Sequence, residues 1–162
     1  NEFKQAGIPF IFDPGQGLPM FDGDDLKRFI SQADWVTVND YESELMCERT
    51  GWSLEQIAAE VQALIVTRGG EGSWIFSSGT RIDIPAAPVA KLTDPTGCGD
   101  AYRAGLLYGI SNDFDWSVTG RLASLMGAIK IELAGTQNHD LSRDEIAVRY
   151  KDAFGESLDW KN

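Results

Sequence analysis

Short apolar runs alternate with segments of helical period along this chain, and turn residues separate them at regular intervals. Ile8–Phe12 is an apolar run that stops at Asp13-Pro14-Gly15, which predicts a buried strand entering a loop. Asp22–Ser31 places acids first and then Leu26, Phe29 and Ile30 on one face, the pattern of a helix. Trp35–Val38 predicts the next strand, and Glu42–Thr50 a helix stopped by Gly51. Ser53-Leu54-Glu55-Gln56 has the form of a capping box, and Leu54, Ile57, Ala58 and Val61 recur at helical spacing before a strand over Leu64–Thr67. Ahead of all of these, Asn1–Ala6 reads as the end of a helix closed by Gly7.

Strands alternating with helices at such intervals predict an α/β fold, a mainly parallel sheet with helices on both faces. Asp13, Asn39 and Thr67 fall at the carboxyl ends of predicted strands, where open α/β sheets bind ligands. From Trp74 to Ile84 the rhythm changes to Trp-Ile-Phe, a Ser77-Ser78-Gly79-Thr80 turn and Arg-Ile-Asp-Ile, an antiparallel hairpin at one edge. A loop over Pro85–Lys91 leads toward a helix from Gly99 to Ile110. A second helix starts at Asp115, carries Val118, Leu122, Leu125, Met126, Ile129 and Leu133 in one stripe, and is ended by Gly135. Ser142-Arg143-Asp144-Glu145 opens the last helix with another capping box. Arg103 and Lys130 read as solvated positions on their helices.

A length of 162 residues fits one domain with one good core. The net charge of −11 argues against a nucleic-acid or anionic-membrane partner, since phosphate backbones are bound by clustered Lys and Arg. An acidic chain that binds phosphate must build its positive field locally, from loop amides, helix N-termini, a metal ion or a few placed cations. The two cysteines, Cys47 and Cys98, do not suggest a structural disulfide and fit a cytoplasmic protein. No apolar run approaches the length that spans a bilayer.

The chemistry concentrates in Asp94-Pro95-Thr96-Gly97-Cys98-Gly99-Asp100, a small-residue loop that enters a helix with a carboxylate in its first turn. Gly97 and Gly99 let backbone N–H groups turn toward one point, and a helix N-terminus adds unsatisfied donors and partial positive charge, a setting for an anion. A carboxylate beside such a site repels the anion unless a hydroxyl lies between them, so Asp100 reads as a base facing an acceptor alcohol. The alternative is an acid favoured at a helix start, worth about 0.3–1 kcal/mol. Two other segments carry double readings. Asn39 with Glu42 is equally a helix cap, and Thr67, Gly69 and Gly72 are equally a strand end and a tight turn. The run is not a Walker loop, having no Lys after Gly99, and Tyr102 stands where a dinucleotide fingerprint needs its third glycine.

Asp-Pro-Thr-Gly-Cys-Gly-Asp resembles the second signature of the ribokinase-type (phosphofructokinase-B) carbohydrate and nucleoside kinases. Asn39-Asp40-Tyr41-Glu42 resembles the Asn-x-x-Glu element of that family, and Thr67-Arg68-Gly69-Gly70-Glu71-Gly72 its Thr-x-Gly-x-x-Gly nucleotide loop, in the expected order. The resemblance runs from about Ile8 to about Phe154.

It implies a ribokinase-like fold, with residues 1–162 forming the C-terminal nucleotide-binding half and the N-terminal acceptor-binding half and lid absent. It also implies an ATP-dependent phosphotransferase acting on an alcohol of a sugar or nucleoside, with a lean toward nucleoside kinases. Asp100 would be the base, and Gly97, Cys98 and Gly99 would donate N–H groups to the transferring phosphoryl. Glu42 would hold Mg²⁺ through water, with Asn39 near the phosphates and Thr67, Gly69 and Gly72 along the nucleotide. Asp94 and Thr96 would surround a monovalent cation such as K⁺, and the loop containing Thr136 would border the adenine pocket or that cation.

His139, in the same loop, reads as a surface residue. Cys98 replaces a more usual Ala and Pro95 a more frequent Thr; packing accounts for Cys98, although a helix N-terminus would lower its thiol pKa. The alternative function is a non-catalytic nucleotide-binding half that needs a missing N-terminal segment or a partner chain, including a second copy.

Overall fold

The computed structural model describes residues 2–161; Asn1, where the expected first helix begins, lies outside them. Two compact units make up the chain, one from residues 1–68 and 73–83, the other from residues 69–72 and 84–162.

The first unit opens with a short helix, α1 (Glu2–Gln5), and is built on a sheet whose order follows the sequence. Strands β1 (Ile11–Phe12), β2 (Trp35–Asn39) and β3 (Ala63–Thr67) run parallel. Strand β4 (Ser73–Ser77) is antiparallel to β3 and pairs with β5 (Thr80–Ile84), so the sheet is mixed. The hairpin turn is local chemistry: Ser78 and Gly79 both take positive φ, 51° and 73°, as a two-residue type I′ loop requires.

Only the end of the predicted first strand joins the ladder. The Phe10 carbonyl accepts from the N–H groups of Asp34 and Trp35, and the Phe10 N–H donates to Asp34 Oδ2 at 3.0 Å. The backbone there is bonded to the turn before β2 instead of extending the strand, and β1 itself is half-buried.

Helices α2 (Gly23–Ile30), α3 (Asp40–Thr50) and α4 (Leu54–Ala59) connect these strands. Period-two alternation in β2 and β3 sends Val36, Val38, Leu64 and Val66 into a core with Leu18, Leu26, Ile30, Met46 and Ile57. Each helix start has a local cause. The side chains of Asp22, Asn39 and Ser53 accept from the backbone N–H three residues on, the last two in complete capping boxes.

The second unit is helical: α5 (Cys98–Ser111), α6 (Trp116–Ile131) and α7 (Arg143–Phe154). Its core joins Leu122, Leu125, Ile129, Tyr150 and Leu158. α5 and α6 approach through glycine: a Cβ on Gly105 would lie 2.7 Å from Ala123 Cα. α6 ends at Ile131, so Leu133 falls outside its apolar stripe. The positive φ of Gly135 (84°) belongs to the following loop and not to the helix cap, which is Glu132.

Glu132 closes that end through a bidentate pair with Arg149 at 2.8 and 2.9 Å, and accepts the Ala90 N–H at 2.9 Å. The Arg149 hydrogen bond holds the Glu132 carboxyl below its ordinary value, against the raising effect of burial. Because this pKa is depressed by folding, the pair stabilises above the unfolded value of 4.5, and its contribution fades as pH falls below that. Arg149→Ala should lower the unfolding free energy by about 1–3 kcal/mol at neutral pH, with a smaller loss at about pH 3, both read by urea titration. No described helix is long and apolar enough to cross a membrane.

Candidate functional site

In the second unit the signature loop is held by its own first residue. Asp94 Oδ1 accepts from the Thr96 N–H and Oδ2 from the Gly135 N–H, both at 2.9 Å. The Thr96 backbone bond, with help from the Thr96 hydroxyl and the Gly135 N–H, lowers the Asp94 pKa to about 2. The N–H groups of Thr93 and Asp94 donate to the Ile131 carbonyl, which fastens the loop to the end of α6.

Gly97 then turns the chain into α5 with φ 85°, and a Cβ there would stand 2.9 Å from the Thr136 carbonyl. Both facts demand glycine. Asp94, Thr96, Gly97, Cys98, Gly99, Asp100 and Thr136 are thus drawn into one small region of this unit.

α5 begins at Cys98, so Gly99 and Asp100 lie in its first turn, where the helix supplies no acceptor for their N–H groups. The Cys98 N–H differs from expectation, because it donates to the Pro95 carbonyl at 3.1 Å. Its thiol differs too: burial, aided by Asp94, raises the Cys98 pKa over the lowering effect of Lys130, so the helix terminus does not activate it. Both cysteines are free thiols.

The Asp100 side chain is 85% exposed and meets Arg103 Nη1 at 3.3 Å. Arg103 is therefore not a plain solvated residue; its guanidinium folds back over Gly99, within 2.8 Å of where a Cβ would be. Lys130 departs further from expectation. It is fully buried, and its ammonium donates to the carbonyls of Asp94 at 2.7 Å and Leu133 at 3.3 Å.

Gly69 opens a single 3-10 turn, Gly69–Glu71, after which the Gly72 N–H closes on the Gly69 carbonyl at 3.1 Å. A Cβ on Gly72 would lie 2.0 Å from the Ile84 carbonyl, so this glycine has a structural cause of its own. His139 is half-buried, with an Nδ1 that meets no hydrogen-bond partner.

In the first unit, Asp13, Asn39 and Thr67 follow or end the parallel strands β1, β2 and β3, with Asn39 opposite Thr67 in register. They share the carboxyl edge of the sheet. Asn39 Oδ1 accepts the Glu42 N–H at 2.7 Å, and Glu42 Oε2 accepts the Asn39 N–H at 2.8 Å. The capping role is therefore real; Asn39 is exposed at the edge and Glu42 is half-buried. The Thr67 hydroxyl donates to the Val38 carbonyl at 3.4 Å. Arg68, the variable position of the glycine loop motif, stacks its guanidinium 4.1 Å from the Trp74 ring centre. Among the described residues, no three His, Cys, Asp or Glu side chains form a ready-made metal cluster.

Residues 3–143 match the description "pfkB family carbohydrate kinase". The chain belongs to the pfkB carbohydrate kinase family. Within it, the chain is 32% identical over 138 residues to a nucleoside kinase of Methanocaldococcus jannaschii, covering 85% of this chain and 46% of that protein. It is 29% identical to a ribokinase of Lactococcus lactis over 150 residues, 92% of this chain and 47% of that one.

Among solved structures it matches the Burkholderia thailandensis nucleoside kinase in complex with inosine. The TM-score is 0.95 at 55% identity, over 97% of this chain and 52% of that one. The same kinase in complex with ADP-inosine matches at 0.93. The chain spans about half the length of the pfkB relatives it matches.

Two residues at the pfkB signature escaped the sequence reading, Lys130 and Arg103. Arg103 carried one signal, its i,i+3 spacing from Asp100 on a helix. For Lys130 the signal is fainter: it continues the small-residue face of Ala123 and Gly127, which packs toward α5.

Proposed function

We propose that this chain is the nucleotide-binding part of an ATP-dependent nucleoside kinase, which transfers the γ-phosphoryl group of ATP to an alcohol of the nucleoside. The observation that carries this is the left-handed Gly97 entry into α5 with an exposed Asp100 in the first turn, in a chain 55% identical to a nucleoside kinase bound to inosine.

In this reading Asp100 accepts the proton of the attacking hydroxyl, while the N–H groups of Gly97 and Gly99 and the start of α5 receive the transferring phosphoryl. Cys98 contributes packing beneath the loop, since its N–H is engaged by Pro95. Positioning and charge neutralisation supply most of the acceleration, because the transition state of phosphoryl transfer is loose.

Glu42 suits Mg²⁺ held through water. It is a half-buried carboxylate oriented by its own cap, and Mg²⁺ keeps several waters and needs few protein ligands. When bound, the ion offsets phosphate charge. Asn39, Thr67, Gly69, Gly72 and Thr136 are assigned to the nucleotide by the family pattern they match.

The test is ADP release by the full-length gene product with Mg·ATP and, in turn, inosine, adenosine, ribose and fructose. The expected result is a kcat/KM for a nucleoside about 100-fold above that for either free sugar, since a site built to bond the base rejects acceptors lacking it. Turnover of sugars alone would make it a sugar kinase. Calorimetric binding of Mg·ATP without transfer to any acceptor would favour a non-catalytic nucleotide-binding module.

A further inference from the structure

The pfkB resemblance places a monovalent cation at Asp94 and Thr96, and the donors present do not fit one. A cation of the K⁺ type needs several oxygen ligands with free lone pairs turned toward a common point. Here the two Asp94 carboxylate oxygens are engaged by the N–H groups of Thr96 and Gly135. The Thr96 hydroxyl is also turned onto that carboxylate. The carbonyls of Asp94 and Leu133, one from the signature loop and one from the loop after α6, converge on the Lys130 ammonium instead.

A lysine with no exposed surface is unusual, because removing an ammonium from water is costly unless its donors are matched. Lys130 meets that condition with carbonyl acceptors 36 and 3 residues away in sequence, so the loop and the helix end fix each other. The ammonium carries the same single positive charge as K⁺. It sits against the signature loop itself, 2.7 Å from the Asp94 carbonyl oxygen.

We propose that the Lys130 ammonium takes the part of the monovalent cation, bracing the Asp94–Gly97 loop and supplying positive charge behind the anion hole. Activity is therefore independent of K⁺. Lys130 acts through the loop and is a positioning residue. The effect on rate rests on the kinase reading above, whereas the effect on cation binding does not.

The experiment compares the full-length gene product in KCl, NaCl and tetramethylammonium chloride at one ionic strength, reading both phosphoryl transfer and the melting temperature. For the wild type, rates agree within about twofold across the three salts, and KCl gives no melting shift beyond that of tetramethylammonium. Lys130→Met lowers kcat at least about tenfold with little change in nucleoside KM, and K⁺ or NH₄⁺, but not tetramethylammonium, restores part of it.

Activation of the wild type several-fold by K⁺, or a K⁺-specific rise in its melting temperature, overturns the proposal. So does a Lys130→Met protein with the wild-type rate in every salt. Should the variant not fold, the wild-type comparison decides alone. Should the wild type transfer no phosphoryl group in any salt, the kinase reading fails, and the melting comparison still decides the cation question.

Discussion

Asp100→Asn in the full-length gene product is expected to lower kcat by about 10²–10⁴-fold while leaving the KM for ATP and for the nucleoside within a factor of about three. The substitution is nearly isosteric and the site tolerates it structurally. The side chain is 85% exposed, and its Arg103 contact is long at 3.3 Å. What changes is the capacity to accept a proton. The competing explanation, an acid that only complements the start of α5, predicts a different result: about 0.3–1 kcal/mol of stability lost and turnover unchanged.

Steady-state kinetics and thermal unfolding on the same preparation separate the two. Asp100→Ala should reproduce the kinetic loss, because neither replacement supplies a base. A variant of either kind that turns over at the wild-type rate removes Asp100 from the mechanism.

The helix starts were legible because their causes are local. Asn39 with Glu42, Ser53 with Gln56 and Ser142 with Glu145 each form both bonds of a capping box, and four residues of sequence contain all of it. The hairpin was legible for the same reason, since Ser78-Gly79 carries its turn conformation in its own composition.

Readings that depended on distant partners were less complete. Ile8–Phe10 has the hydropathy of a strand, but the backbone of Phe10 is taken by Asp34, 24 residues on. Leu133 continues the apolar period of α6 in sequence, yet the helix has already ended at Ile131, whose carbonyl accepts from Thr93 and Asp94.

The signature loop could be picked out from its glycines and Asp100, but not the way it is braced. That bracing uses the Ile131 carbonyl and the Gly135 N–H, which every sequence offers. It also uses the Lys130 side chain, which hydropathy assigns to solvent. Backbone groups and matched buried charges leave almost no trace in periodicity.

The largest loss of stability is expected from Gly105→Val. A Cβ at Gly105 would stand 2.7 Å from Ala123 Cα, 2.9 Å from Ala123 N and 3.0 Å from the Leu122 carbonyl. All three are backbone atoms of α6, so no side-chain rotation relieves the clash, and α5 and α6 must move apart. Separation would open the interface that buries Leu106 and Leu122, at a cost of about 3 kcal/mol or more, a large share of the stability of an ordinary domain. Gly105→Ala should cost about 1–3 kcal/mol by the same contact.

Gly127 provides the control. It also lies in a helix, but its added Cβ would rest 3.6 Å from the Cys98 carbonyl, an ordinary contact. Gly127→Ala should therefore be neutral or stabilise by about 0.5–1 kcal/mol, as removing a helical glycine does when space allows. Urea unfolding of the three variants distinguishes contact from propensity: if both alanine substitutions raise the midpoint, helix propensity and not backbone approach governs position 105.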